Sequence, residues 1–211
     1  MTLTKDAAFW TRHAPRYAKA AIRDSAGYER TLARTADLIA GRATVLELGC
    51  GTGMTALRLA PVVESYLATD LAPGMIVQAR SRLDQAPTDG LVFTVATARD
   101  LAAERLRFDA ILGFSYLHLL RDLAETLSRI HTMLEPGGLF ISKTPLVGEM
   151  SPLIRVAIRP AQWLGLAPHV LMLTEDTLRA ALVAAGFEIV ETARHGSGPK
   201  DARLFVFARK A

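Results

Sequence analysis

The chain predicts an α/β fold, a doubly wound and mainly parallel sheet with helices on both faces. Three observations carry that expectation. Short apolar strand patterns alternate with helical ones from residue 44 to residue 142, and such βαβ runs build parallel sheets covered by their crossover helices. A glycine-rich turn, VLELGCGTG at 45–53, ends the first strand and opens a helix. The last two strands, 187–192 and 203–209, follow one another with no helix between them, so they pair antiparallel or lie apart.

The first forty residues are alanine-rich. Tyr28, Leu32, Thr35, Leu38 and Ile39 recur on one helical face, which predicts helix up to a stop at Gly41. The first strand follows at 44–48, then the glycines, then a helix at 54–60 closed by Pro61. A second strand, 65–69, ends at Asp70, and Pro73 suits the first turn of a helix running to residue 83. Residues 85–90 read as a loop before a third strand at 91–96. A charged segment leads into the fourth strand, 108–114. The helix at 122–134 carries Leu123, Leu127, Ile130 and Leu134 on one face, and Glu135-Pro136-Gly137-Gly138 breaks it before a fifth strand at 139–142. Thr174 caps a helix reaching residue 185, Gly186 stops it, and the turn-rich 195–199 joins the last two strands.

These elements fit one domain, with 1–40 as an N-terminal helical cap and 145–173 as an apolar lid insertion. At 211 residues, half apolar and 22% charged, the chain has ample material for one core. Cys50 is the only cysteine, which excludes an intrachain disulfide and a cysteine-rich zinc site, and no metal is expected. The opening MTLTKDAAFW has no apolar stretch behind a basic one. No uncharged apolar run reaches the ~18 residues of a bilayer span, so a cytoplasmic protein is expected. The net charge of +4 comes from scattered basic residues with no Lys/Arg run longer than two. A solvated basic face is expected rather than a nucleic-acid surface.

Three glycines at alternate positions need a reason, because glycine loses more conformational freedom on folding than any other residue. In a doubly wound sheet, ligands bind beyond the carboxyl ends of the strands, where bare backbone admits close approach. Asp70 ends the next strand about 20 residues on, where a carboxylate can accept hydrogen bonds from both hydroxyls of a ribose. Together they predict a nucleoside-containing cofactor. A dinucleotide fingerprint would read G-x-G-x-x-G. Here the pattern is Glu47-x-Gly49-x-Gly51-x-Gly53. The third glycine falls one position early, and an acid precedes the loop, where it repels phosphate and attracts an ammonium or sulfonium. S-adenosylmethionine fits that charge better than NAD.

Four stretches, VLELGCGTG (45–53), ATDLAPGMI (68–76), FDAILGFSYLHLL (108–120) and LEPGGLF (134–140), make the chain resemble the class I S-adenosylmethionine-dependent methyltransferases. The resemblance is to the ubiquinone/menaquinone-biosynthesis-like group acting on small molecules, closely over 9–142 and in outline beyond. It implies a Rossmann-like seven-stranded sheet with the last strand antiparallel. It implies that Glu47, Gly49, Gly51 and Gly53 surround the methionine part of the cofactor, that Asp70 meets the ribose, and that Leu71 and Met75 flank the adenine. Ala98 falls in the loop that meets the adenine edge, Phe114 faces cofactor and acceptor, and Tyr17, in APRYA, matches a tyrosine that closes over the cofactor. One departure stands out: the family's Gly-Asp-Ala after the third strand is Ala96-Thr97-Ala98 here. Adenine recognition therefore falls to Thr97, to Asp100 or to backbone.

Methyl transfer from a sulfonium is an in-line displacement with the electrophile already activated, so the protein's task is mainly alignment. An acceptor that loses a proton can need a base. Tyr116 and His118, after the fourth strand, and His13 and Tyr17, from the N-terminal segment, are the candidates. His131 and His195 read as structural or solvated, and Cys50 as a space-filler. The 145–173 stretch can complete the core or cover the acceptor, and 152–173 can rest weakly on lipid headgroups. The leading expectation is a methyltransferase for a small apolar, phenolic or thiol acceptor, releasing S-adenosylhomocysteine. An RNA or protein methyltransferase is the alternative raised by the basic composition. Against it, the Asn/Asp-Pro-Pro-Tyr/Phe motif of exocyclic-amine methylases is replaced by Gly113-Phe114-Ser115-Tyr116. A non-catalytic cofactor-binding module is the third reading.

Overall fold

A computed structural model describes residues 3–163, 167–198 and 201–211. The helices are α1 Leu3–Lys19, α2 Ser25–Ile39, α3 Met54–Leu59, α4 Pro73–Gln85, α5 Ala98–Ala103, α6 Leu123–Met133, α7 Pro152–Trp163 and α8 Glu175–Ala184. The strands are β1 Thr44–Leu48, β2 Ser65–Asp70, β3 Leu91–Val95, β4 Phe108–Phe114, β5 Leu134–Pro145, β6 Phe187–Ala193 and β7 Arg203–Lys210. They form one seven-stranded sheet in the order β3-β2-β1-β4-β5-β7-β6. β1 to β5 run parallel, and β7 lies antiparallel between β5 and β6. The expected doubly wound sheet with an antiparallel last strand is the fold this chain adopts.

Strand alternation sorts the apolar residues onto two faces. Leu46, Leu48, Ile111 and Phe140 face α6 and α8, meeting Leu127, Ile130, Leu178 and Leu182. Val45, Ala110, Leu112, Ile141 and Phe205 face the other way, against Leu32 and Ile39 of α2, Leu59 of α3 and Ile76 of α4. Each large side chain buried this way contributes about 1.5–3 kcal/mol. A third, smaller contact seats α1 on the start of α4 through Ala14, Ala72, Met75 and Trp10. Among the described residues, no helix is long and apolar enough to cross a membrane.

Three elements differ from expectation. The N-terminal forty residues form two helices, because Asp24 caps α2 by accepting from the Gly27 N–H at 2.9 Å and the chain turns before it. The charged lead-in to β4 contains α5, held by a reciprocal cap between Thr97 and Asp100. Six residues with only Ala98 and Leu101 buried give no helical period to read. β5 already begins at Leu134, its first turn irregular at Gly137 with φ +71°, so the expected break lies inside a strand rather than before one. Residues 164–166 of the apolar stretch and Pro199 of the last turn lie outside the described residues.

Candidate active site

The strand order reverses between β1 and β4, and there the carboxyl ends of β1, β2 and β4 open into a cavity of about 880 Å³. Ligands bind at such a switch point because two neighbouring loops diverge and leave a crevice. Tyr17, Glu47, Gly49, Gly51, Asp70, Leu71, Met75, Thr97, Ala98, Phe114 and Tyr116 all line it.

The three glycines of the turn share a left-handed backbone, with φ of +70°, +56° and +80° at 49, 51 and 53, a region costly to any residue with a Cβ. Their surroundings differ. A Cβ on Gly49 would meet the Tyr116 ring at 2.7 Å, one on Gly53 would meet Phe93 and Ala79 at 2.7 and 2.9 Å, and one on Gly51 would meet nothing within 4 Å. Gly51 is thus the bare backbone that faces open space. Gly53, expected against the cofactor, instead starts α3 and lets that helix sit close to α4 and β3; it is absent from the cavity wall.

Two buried carboxylates stand beside this turn. Asp70 is held by its own strand end: Oδ2 accepts from the Gly51 N–H at 3.0 Å and Oδ1 from the Ala72 N–H at 2.8 Å. Burial raises its pKa, against those two hydrogen bonds. Each oxygen keeps a lone pair free for a further donor. Glu47 accepts from the Tyr66 hydroxyl at 2.9 Å. Burial, opposed by that hydrogen bond and reinforced by nearby Asp70, pushes its pKa up to about 7. No cation of the protein pairs with either acid among the described residues, so the turn carries uncompensated negative charge.

After β3, the Thr97 hydroxyl donates to Asp100 Oδ2 at 2.7 Å, and the Thr97 N–H donates to the same oxygen at 2.8 Å. Asp100 is therefore committed to capping α5 and does not line the cavity, whereas Thr97, Ala98 and Arg99 do. After β4, Ser115 takes φ +51°, and its N–H donates to the Lys143 carbonyl at 2.8 Å. That strained turn presents Phe114 and Tyr116 to the cavity. Burial and Asp70 hold the Tyr116 phenol well above its ordinary pKa, so it stays protonated at neutral pH.

The remaining candidates do not join this group. His13 lies on α1, its Nδ1 2.7 Å from the Phe9 carbonyl and its ring stacked on Phe9, off the cavity wall. His118 sits in a short 3-10 turn, Leu117–Leu119, that points Leu119 to the cavity and His118 away from it. Its Nδ1 is buried without a partner among the described residues, and burial drives its pKa down to about 4. The histidine that does line the cavity is His169, which donates from Nε2 to the Leu120 carbonyl at 3.1 Å. Lys143, buried in β5, lines it as well. A lysine in the otherwise uncharged LFISKTP was the available signal for the second; for His169 there was none. Among the described residues of the 145–173 stretch, Pro168 and His169 reach the cavity, while α7 exposes Leu153, Val156 and Trp163 to solvent.

A family described as a methyltransferase domain matches residues 16–192. The ubiquinone biosynthesis O-methyltransferase of Azorhizobium caulinodans is 32% identical over 153 residues, covering 71% of this chain and 60% of that protein. The chain thus spans little more than half of that relative. The N-methyltransferase NodS of Bradyrhizobium japonicum, solved with S-adenosyl-L-homocysteine, has a TM-score of 0.71 at 19% identity, covering 95% of this chain and 98% of its own. The magnesium protoporphyrin IX methyltransferase ChlM of Synechocystis, also with bound S-adenosylhomocysteine, has a TM-score of 0.69 at 15% identity, covering 94% and 93%. Those two are likenesses of fold. With the family match, the strand order and the acid-glycine turn in agreement, the chain belongs to the methyltransferase domain family, among the class I S-adenosylmethionine-dependent methyltransferases.

Proposed function

We propose that this protein holds S-adenosylmethionine at the carboxyl ends of β1 and β2 and methylates a small acceptor lodged in the same cavity. The observation that carries the reading is the pair of buried, uncompensated carboxylates, Glu47 and Asp70, around the open backbone at Gly51. They suit a cationic aminoacyl nucleoside: Glu47 supplies charge to the amino-acid end, and Asp70 supplies acceptors to ribose hydroxyls. The cofactor supplies an electrophilic methyl group on a sulfonium. The chain supplies position and dryness. Phe114 and Tyr116 close the wall beside β4, Tyr17 reaches in from the end of α1, and Thr97 with Ala98 borders the far end. With Asp100 committed to α5, backbone groups around Thr97 and Ala98 are the recognition elements left for adenine.

Deprotonation of the acceptor is not assigned to His118 or His13, which the fold keeps off the cavity. His169 is on the wall; its Nε2–H is donated to Leu120, which leaves Nδ1 as the basic nitrogen. A small acceptor is favoured over nucleic acid because the site is an indented cavity whose wall arginines are largely paired: Arg121 with Asp6, Arg129 with Glu125 and Arg203 with Asp24. The test is transfer of a labelled methyl group to a panel of phenols, thiols, amines and carboxylic acids, with RNA as a separate arm. Label on a small acceptor, abolished in Asp70→Ala, supports the reading. Label on RNA alone, or on no acceptor with the cofactor bound, contradicts it.

A further inference from the structure

Among the described residues, four carboxyl or amino side chains on the cavity wall are buried: Asp6, Glu47, Asp70 and Lys143. Asp6 is neutralised by a two-pronged contact with Arg121, at 2.6 and 2.8 Å. Glu47 and Asp70 belong to the cofactor end. Lys143 remains. Its Nζ donates to Thr31 Oγ1 at 2.7 Å and to the Gly27 carbonyl at 3.4 Å, and it has no ion pair among the described residues. The Thr31 hydroxyl gives its own proton to the Gly27 carbonyl at 2.8 Å, so Oγ1 meets Lys143 only as an acceptor. The acids nearest in the fold are already taken. Asp24 and Asp201 are both held by Arg203, at 3.0 and 2.6 Å, and Asp24 also caps α2 and accepts from Ser197. A buried ammonium without a counter-charge is among the costliest groups a fold can keep, unless a ligand completes it.

Its place is equally specific. Register pairs Glu47 with Leu112 and Phe114 with Lys143. Alternation then puts Glu47, Phe114 and Lys143 on one face of the sheet. The cavity has a negative pole on β1, a positive pole on β5, and the Phe114 ring on the strand between them. Two strand spacings put the poles about 10 Å or more apart.

We propose that Lys143 anchors a carboxylate of the methyl acceptor, which is therefore a small organic acid whose apolar body lies along Phe114 and Leu32. This rests on the methyltransferase reading of the same cavity. A carboxylate could also come from the cofactor's own amino-acid end. The separation from the glycine turn favours the acceptor, and the experiment tells the two apart.

The test is calorimetry with matched acids and amides, para-hydroxybenzoate against para-hydroxybenzamide and hexanoate against hexanamide, on protein saturated with S-adenosylhomocysteine. In the wild type at least one acid should bind about tenfold or more tighter than its amide. In Lys143→Met, and in Lys143→Gln, which keeps a donor toward Thr31, that preference should vanish while S-adenosylhomocysteine affinity stays within about twofold. The wild-type comparison stands alone should either variant fail to fold. Equal binding of acids and amides, or an acid preference that survives in both variants, overturns the proposal. So does a loss confined to S-adenosylhomocysteine affinity, which would assign Lys143 to the cofactor. Failure of S-adenosylhomocysteine to bind the wild type would instead strike the methyltransferase reading, and acid selectivity can then be measured on the ligand-free protein.

Discussion

Glu47 is a buried acid whose ionisation costs the fold stability. Its carboxyl, pushed up to about 7, titrates in the physiological range while the ligand-free site holds no cation for it. A raised carboxyl contributes stability that is fully present below its ordinary value of about 4.3 and is lost as pH rises through 7. Glu47→Gln, which can still accept from Tyr66, should therefore stabilise the ligand-free protein at pH 8 by about 1–3 kcal/mol in urea melts. The same substitution should weaken ligand binding. A ligand bearing an ammonium selects the ionised acid, so wild-type affinity for S-adenosylhomocysteine should rise about tenfold between pH 6 and 8, and the Gln variant should show a flat profile. A wild-type affinity independent of pH would remove Glu47 from the site. The place of Asp70 on the cavity wall was readable from sequence because a strand-end acid, otherwise read as a cap or turn former, follows the glycine turn at that spacing. His118 misled because its position after β4 is right, but the 3-10 turn rotates it out of the cavity. Nothing local in YLHLL announces that turn.

At the scale of elements, the glycine turn divides into parts with separable tests. Gly51→Ala meets open space, so its cost to folding is the left-handed backbone alone, about 1–2 kcal/mol, while its methyl group intrudes into the space beside the turn. Gly53→Ala collides with Phe93 and Ala79 inside the α3–α4 packing. The first should fold and bind S-adenosylhomocysteine poorly; the second should lose thermal stability first. Equal behaviour of the two would mean that the turn acts as a unit. The α1 segment is the other movable part. It rests on α4 and is tied by the pair of Asp6 with Arg121 just ahead of α6, and it carries Trp10 and Tyr17 to the cavity. Asp6→Ala should weaken that tether by about 1–3 kcal/mol and speed amide exchange across α1, with the sheet amides unchanged. Unaltered exchange in α1 would show that its seat on α4 suffices. These helices were legible as helix, but not as two helices with a tether, because Asp6 and Arg121 lie 115 positions apart in the chain.

Over the whole molecule, what was legible depended on how local the signal is. β1 to β4 and α6 announce themselves through apolar period and punctuation, and the hairpin of β6 and β7 through the missing helix between them. The two-pole cavity does not, because Lys143 becomes a wall residue only once β5 registers against β4 and α2 covers that face. The Glu47 and Asp70 side of the cavity is thus written in contiguous motifs, and the Lys143 side in tertiary contacts. The measurement that tests the account most directly is calorimetric titration of S-adenosylhomocysteine into the wild type and Asp70→Ala. One-to-one binding that weakens about tenfold or more in the variant is the predicted result. No binding by the wild type, or equal affinity in the two proteins, would contradict it.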